Sequence, residues 1–420
     1  MSEPTFRQNL PDSGKATPWL GGVMILLFVM TPVLGYFAQL GFAPLLALVG
    51  LLALPVMGRP RAPVAPALIL LLLALWGAWS MTWSPAAPPP GSLKAYDDIE
   101  KLTAAKLLLQ LALYGAAVAA ALRLSTRAAD RASTFIGFGV LALAILVGGD
   151  ALIGAKIFQK LRELTGDPVR PDIAKVKIGI GCYVLAVLFW PAAAALARRG
   201  KHPAVVLLLA GVIAASVLAS ADSCLVALGV GLLVWALIKF GGKAGGGVLT
   251  LAVAVPFVVA PIAVLAAIQT GFWAWLHGLV PPSWDARLNI WAFAADHVQT
   301  HPFRGWGLDA SRTFGDAIPL HTHNAQLQLW LELGAVGAAL AGAFFCWLAY
   351  GVTRTAETDR GSAATAGAAL TSYLVIGALS FGVWQEWWIA IGALAIVACV
   401  ALRRSSSEYG DELVEISPLG

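Results

Sequence analysis

The run from His321 to Gly337, HTHNAQLQLWLELGAVG, sets two histidines and an asparagine directly before an apolar stretch. His323 and Asn324 fall where a helix is predicted to begin. Unpaired backbone N–H groups and the positive end of the helix dipole lie there. Such an end attracts phosphate. It also opposes protonation of an imidazole, which leaves His323 neutral and able to take up a proton. Asn324 has a plain role available as an N-cap. Glu332, about two turns further in, is a carboxylate inside an apolar span. An ionisable group at that depth is costly, and it marks either a functional site or a partner for a buried Arg or His. His321 points away from His323 if the segment is extended there.

A second set of groups precedes this run, in SWDARLNIWAFAADHVQTHPFRGWGLDASRTFGDAIPL. Residues 284–298 read as a helix with Trp284, Leu288, Trp291 and Ala295 on one face, and Pro302 beyond its end. Arg287 lies in its first turn, where a guanidinium opposes the dipole. An anion gripped by both arms of the fork would account for it. Gly305 and Gly307 allow close backbone approach, and Arg304 and Arg312 add two more cations. Metal chemistry has little support here. His321 and His323 are two apart, which suits an extended segment. His297 and His301 are four apart on a helix, as zinc ligands can be, but no H-E-x-x-H or cysteine cluster accompanies them. Asp285, Asp296, Asp309 and Asp316 are scattered, so no metal is expected. Neither a P-loop nor a G-x-G-x-x-G is present, which leaves nucleotide chemistry unsupported.

The elements that must hold these groups are membrane spans. Of 420 residues, 59% are hydrophobic and 12% charged, with mean hydropathy +0.78. A soluble domain carries about 25% charged residues. The net charge of +5 therefore reports topology, not nucleic-acid binding. Twelve apolar runs are long enough to span, at about 18–37, 39–57, 64–83, 104–123, 134–153, 178–197, 203–220, 223–240, 247–269, 327–350, 364–382 and 385–402. Every even-numbered exit is basic: Arg59 and Arg61; Arg123, Arg127 and Arg131; Arg198, Arg199 and Lys201; Lys239 and Lys243; Arg354 and Arg360; Arg403 and Arg404. Those exits and both termini are expected in the cytoplasm. The polar N-terminus has no small-residue cleavage site after its first apolar run, so no cleaved signal peptide is expected.

The chain then reads as one integral membrane domain over 1–420, all-α, with a large outer loop at 270–326 carrying the site and a disordered cytoplasmic tail at 405–420. Two other outer segments are long, 84–103 and 154–177. The latter carries six basic residues against three acidic ones, and its KIFQKLREL reads as an amphipathic helix on the membrane surface. Arg170 lies in this loop, and Lys175 and Lys177 just before span 6 are better placed to meet an anion. Cys182, Cys224, Cys346 and Cys399 read as buried small hydrophobes.

Arg287-x-x-x-Trp291, His301-Pro302, Gly305-x-Gly307, His323-Asn324-x-x-x-Gln328, Glu332, Gly334 and Gly337 together resemble the O-antigen ligase and O-antigen polymerase superfamily. LWGAWSMTWSP after span 3, LASADSCLVALGVG at the span 7–8 turn and VWQEWW between spans 11 and 12 extend the resemblance along the chain. It implies a glycosyltransferase of GT-C-like fold. Such a ligase moves a glycan from undecaprenyl pyrophosphate to a sugar of lipid A-core at the periplasmic face of the bacterial inner membrane, without metal, cofactor or ATP. His323 matches the family's catalytic histidine, and Arg287 one of its essential arginines. The family's second arginine, at the span 7–8 turn, is missing; Asp222-Ser223-Cys224 stands there. Lys175, Lys177, Arg170, Arg304 or Arg312 could replace it. Asn324, Glu332, His321 and Trp291 complete the expected substrate-binding set. A polymerase joining lipid-linked repeat units remains an alternative. A transporter of lipid-linked glycan is another, though it should carry ionisable groups near the midplane.

Overall fold

A computed structural model describes residues 16–56, 64–89, Ser92 and 102–405. The N-terminal segment, Arg59 and Arg61, most of 90–101 and the tail from 406 lie outside the described residues. Those described form an all-helical protein. Its helices are α1 (Ala16–Phe37), α2 (Phe42–Ala53), α3 (Val64–Ser80), α4 (Thr103–Ala121), α5 (Thr126–Leu152), α6 (Lys156–Leu164), α7 (Pro171–Arg198), α8 (His202–Leu218), α9 (Asp222–Gln269), α10 (Phe272–His277), α11 (Pro282–Val298), α12 (Ala325–Thr355), α13 (Arg360–Leu379) and α14 (Glu386–Arg404). Among the described residues, nine helical segments are long and apolar enough to cross a membrane. Two further apolar helices, α3 and α8, have 17 residues each. The chain is a multi-pass membrane protein. α9 runs 48 residues and contains two of the expected spans, joined at Gly242 with φ 57° and ψ −130°.

One boundary differs from the sequence reading in a way that matters for function. Span 6 starts at Pro171 rather than near 178, so Lys175 and Lys177 lie within α7 and not in a loop before it. Pro171 pre-sets φ at the first helical position, and Asp172 in the first turn complements the dipole. These signals override the drop in apolar content. The expected surface helix is present as α6, with Phe158 buried and Ile157, Leu161 and Leu164 exposed.

Among the described residues the core has two large clusters, with two small ones beside them. One cluster packs α1, α2, α4, α5, α7, α8 and α14; the other joins α9, α12 and α13. The basic exits of several even-numbered spans meet at one end of the bundle. Arg198, closing α7, donates to Leu402 O at 2.5 Å and Ser362 Oγ at 2.9 Å. Arg404, closing α14, donates to Leu124 O at 2.5 Å beyond α4, and Lys243 pairs with Glu357 at 2.9 Å. Arginines there cap carbonyls at or just beyond helix C-terminal ends, as the dipole favours.

At the other end, α12 breaks. Gly334 takes φ 63° and ψ −163°, which releases the carbonyls and N–H groups around it from the helix ladder. The segment 302–307 enters the gap. Trp306 N–H donates to Leu331 O (2.9 Å) and Gly307 N–H to Glu332 O (2.7 Å), while Ala335 N–H donates to Pro302 O (2.8 Å). Backbone polar groups at membrane depth must be satisfied within the protein, and this crossing satisfies them. It also requires glycine. A Cβ at Gly334 would sit 2.3 Å from Phe303 O, and one at Gly305 2.3 Å from Glu332 O. Trp76 and Trp83 secure the crossing from α3 and the turn after it, donating to Leu333 O at 3.0 Å and Gly305 O at 3.3 Å.

Candidate active site

The first part of α12, from Ala325 to the break, carries the histidine pair at its N-terminal end. Asn324 caps it, its Oδ1 accepting from Leu327 N–H at 2.9 Å. Its side-chain oxygen is thereby committed to the helix, the plain reading of this residue. His323 has φ 53°, in the left-handed region, so the segment is not extended there. In consequence His321 does not point away. His323 N–H donates to His321 Nδ1 at 3.1 Å, and the two rings lie 4.1 Å apart, tilted by 55°.

These bonds fix both tautomers. His321 Nδ1 accepts an N–H, so His321 carries its proton on Nε2. His323 Nδ1 lies 2.8 Å from Ser380 O. A carbonyl can only accept, so His323 is protonated on Nδ1 and Nε2 is left as the acceptor. Burial lowers the pKa of both imidazoles. His321 is brought to about 3, with the His323 ring and the charges of Arg312 and Arg287 adding to the effect. His323 is lowered by burial and by Arg287, against a contrary pull from its bond to Ser380. Neutrality thus rests first on desolvation, where the sequence pointed to the helix dipole.

Arg287 reaches the same place from α11. Its Nη1 donates to Leu379 O at 2.8 Å, and its guanidinium lies 5.2 Å from the centre of the Trp284 ring. Two successive carbonyls at the C-terminal end of α13 therefore hold the two groups the sequence placed in catalytic roles. That end is electronegative and suits both donors. The first turn of α9 completes the wall, with Ser223 Oγ 2.7 Å from Ser380 Oγ.

Glu332 is fully buried, and the protein itself saturates it. Its carboxylate accepts from Asp309 N–H (2.9 Å), Ser311 N–H (3.4 Å), Gln328 Nε2 (3.0 Å) and Trp384 Nε1 (2.6 Å). Its partners are these donors, not an Arg or a His. Gln328 and Trp384, to which the sequence reading gave no role, bind three segments together through it. Gln328 Oε1 also accepts Val383 N–H at 2.9 Å. Trp291, expected to meet substrate, spends its Nε1–H on Thr322 O at 2.9 Å and packs in a small core under the loop.

The remaining cations separate. Arg304 lies 5.6 Å over Trp83, on the far side of the crossing. Arg312 pairs with Asp309, Nε to Oδ1 at 3.4 Å. Arg170 pairs with Asp172 at 2.7 Å, both well exposed. Lys175 and Lys177 are exposed on α7, and among the described residues their side chains make no hydrogen bond or ion pair. His297 stacks on Phe293 at 3.8 Å, with Nδ1 3.0 Å from Phe293 O, and His301 lies against Trp306. No metal-ligand cluster occurs among the described residues.

What the fold and site define is a multi-pass membrane protein with a neutral histidine and an arginine gathered at one end of its helix bundle. Residues 203–342 match the family described as O-Antigen ligase, a segment that includes Arg287, His323 and the Gly334 break. Over this segment, a third of its length, the chain is similar to the O-antigen ligase family. A Rickettsia conorii protein named "Putative polysaccharide ligase" is 26% identical over 233 residues, 52% of this chain and 56% of that protein. A Rickettsia prowazekii protein of the same name is 34% identical over 132 residues, 28% of this chain and 32% of its own length. The chain spans about half, or less, of the curated relatives it matches.

Proposed function

We propose that the protein is an O-antigen ligase, a metal-independent glycosyltransferase of the GT-C type. It moves a glycan from undecaprenyl pyrophosphate to a sugar hydroxyl of lipid A-core, at the periplasmic face of the bacterial inner membrane. On this reading the chain crosses the membrane twelve times with both termini in the cytoplasm, and the 270–326 loop faces the periplasm. The observation that carries the reading is His323, with Nδ1 tied to Ser380 O and Nε2 left to accept.

The acceptor hydroxyl is a weak acid, so its oxygen becomes a good nucleophile only as its proton leaves. His323 Nε2 takes that proton as the C1–oxygen bond to the acceptor forms, a contribution of ~10²–10⁴ in rate. The C1–oxygen bond to pyrophosphate breaks, and undecaprenyl pyrophosphate departs with one more negative charge. Arg287 has only Nη1 committed, to Leu379 O, and offers the rest of its fork to that charge. His321 holds the His323 backbone through Nδ1 and fixes the left-handed turn that aims the ring. The deciding experiment reconstitutes purified protein in proteoliposomes with an undecaprenyl-pyrophosphate-linked glycan and lipid A-core, with EDTA present. A glycan-bearing lipid A-core on a gel is the expected product. Glycan–glycan joining without lipid A-core would make it a polymerase, and passage of the glycan without transfer would make it a transporter.

A further inference from the structure

We propose that Arg312 is the second phosphate-gripping cation of the site, facing Arg287 across the histidine pair. This rests on the glycosyl-transfer reading, which requires a pyrophosphate to be held and released. One guanidinium with an arm already spent on Leu379 O is a poor match for two phosphate groups. The first turn of α9 adds no cation: it presents Asp222, Ser223 and Cys224 and is closed by the Ser223–Ser380 contact.

Arg312 lies on a short 3-10 turn, Ala310–Thr313. The position of that turn is fixed by buried groups. Asp309 and Ser311 N–H both donate to the Glu332 carboxylate. Ser311 Oγ is 3.5 Å from Gln328 Nε2, and Gln328 Oε1 holds Val383 N–H. Gly382, one residue earlier, abuts His321 so closely that a Cβ there would come within 3.0 Å of the imidazole Cγ. The turn and the histidine pair therefore share a wall. The electrostatics agree, since Arg312 and Arg287 both oppose protonation of His321.

The Arg312 side chain is aimed but not consumed. Asp309, itself bonded to Thr103, engages it only through Nε, and the side chain is 61% exposed. The Nη edge is left for an anion, in the planar geometry that suits two phosphate oxygens. The competing cations lack such a link. Arg304 is stacked on Trp83, and Arg170, Lys175 and Lys177 make no contact with the site.

The test uses the purified full-length protein and two readouts, calorimetric titration with inorganic pyrophosphate and glycan transfer in proteoliposomes. Arg312→Ala should weaken pyrophosphate binding about tenfold and raise the half-saturating donor concentration to a similar degree. Arg312→Lys should recover part of both, because it returns the charge without the fork. Arg304→Ala and Lys175→Ala should stay within about twofold of the unsubstituted protein, as surface cations with no phosphate contact. Wild-type protein that does not bind pyrophosphate, or Arg312→Ala that binds it unchanged, overturns the assignment. So does an Arg312→Ala variant that loses turnover at unaltered pyrophosphate affinity and donor requirement. If binding depends on Arg312 yet the wild-type protein transfers no glycan, the cation assignment stands and the glycosyl-transfer reading falls.

Discussion

Two segments expected on the outer face use their charge differently, one with six basic residues against three acidic and the other with three against four. In 154–177, Lys160 pairs with Glu163 at 2.8 Å, Arg162 with Asp167, and Arg170 with Asp172 at 2.7 Å. Its helix α6 is tethered from below. The buried Asp150 carboxylate accepts from Ile157 N–H at 2.7 Å, Phe158 N–H at 3.0 Å and the Tyr36 hydroxyl at 2.8 Å. In 270–326, the charges of Arg287 and Arg312 both act on His321, and buried carboxylate and amide groups fix the backbone beneath. The first segment pairs three of its six basic residues with neighbouring carboxylates; the second holds Arg287 and Arg312 near the histidine pair. A count of lysines and arginines favours the first segment, whereas the partners of each side chain favour the second.

That contrast can be broken or sharpened at several points. Arg287→Lys should lose most activity, about 10²-fold or more in kcat/KM, because a point charge cannot reproduce the fork. Near-normal turnover in steady-state assays would reduce Arg287 to simple neutralisation. Gly305→Ala forces its Cβ into Glu332 O. It should lower the melting temperature by disturbing the crossing, at a cost of ~1–3 kcal/mol, and should reduce transfer with it. An unchanged melting curve would show that the crossing yields freely.

Acid should act later than for a free imidazole. Burial puts the His323 pKa below 6.5, and the base works in its neutral form. Transfer should therefore hold as pH falls from neutrality to 6.5 and decline only below it; a half-maximum above 6.5 in a pH–rate profile contradicts this. The smallest effects belong to the first segment. Alanine at Lys156, Lys160, Lys175 or Lys177 should change donor use by less than about twofold, as exposed charges and exposed ion pairs do. A selective loss at Lys175 or Lys177 would restore the order the sequence suggested.

Much of the fold was legible because hydrophobic length and charge punctuation set it. All twelve apolar runs fall on helices, including the two merged across Gly242. The start of α7 was misplaced because Pro171 and Asp172 act through backbone geometry and dipole, to which apolar content is blind. At the site, residue types led to His323 and Arg287. They did not show what anchors them, since the anchors are the main-chain carbonyls of Leu379 and Ser380. Glu332 stood out as a buried carboxylate. That it serves Asp309, Ser311, Gln328 and Trp384 depends on a chain crossing that only Gly305 and Gly334 hinted at. The expectation for His321 is conditional on an extended segment, and the left-handed turn at His323 removes that condition.

The central claim is that His323 Nε2 receives the acceptor's proton, and its most direct measurement compares glycan transfer by purified His323→Ala and His321→Ala proteins in proteoliposomes. With folding verified by thermal melting and pyrophosphate binding retained, His323→Ala should lose ~10²–10⁴-fold in rate, down to background. His321→Ala should lose less, because it removes support for the ring and not the ring itself. Transfer by His323→Ala at close to the wild-type rate would contradict the account.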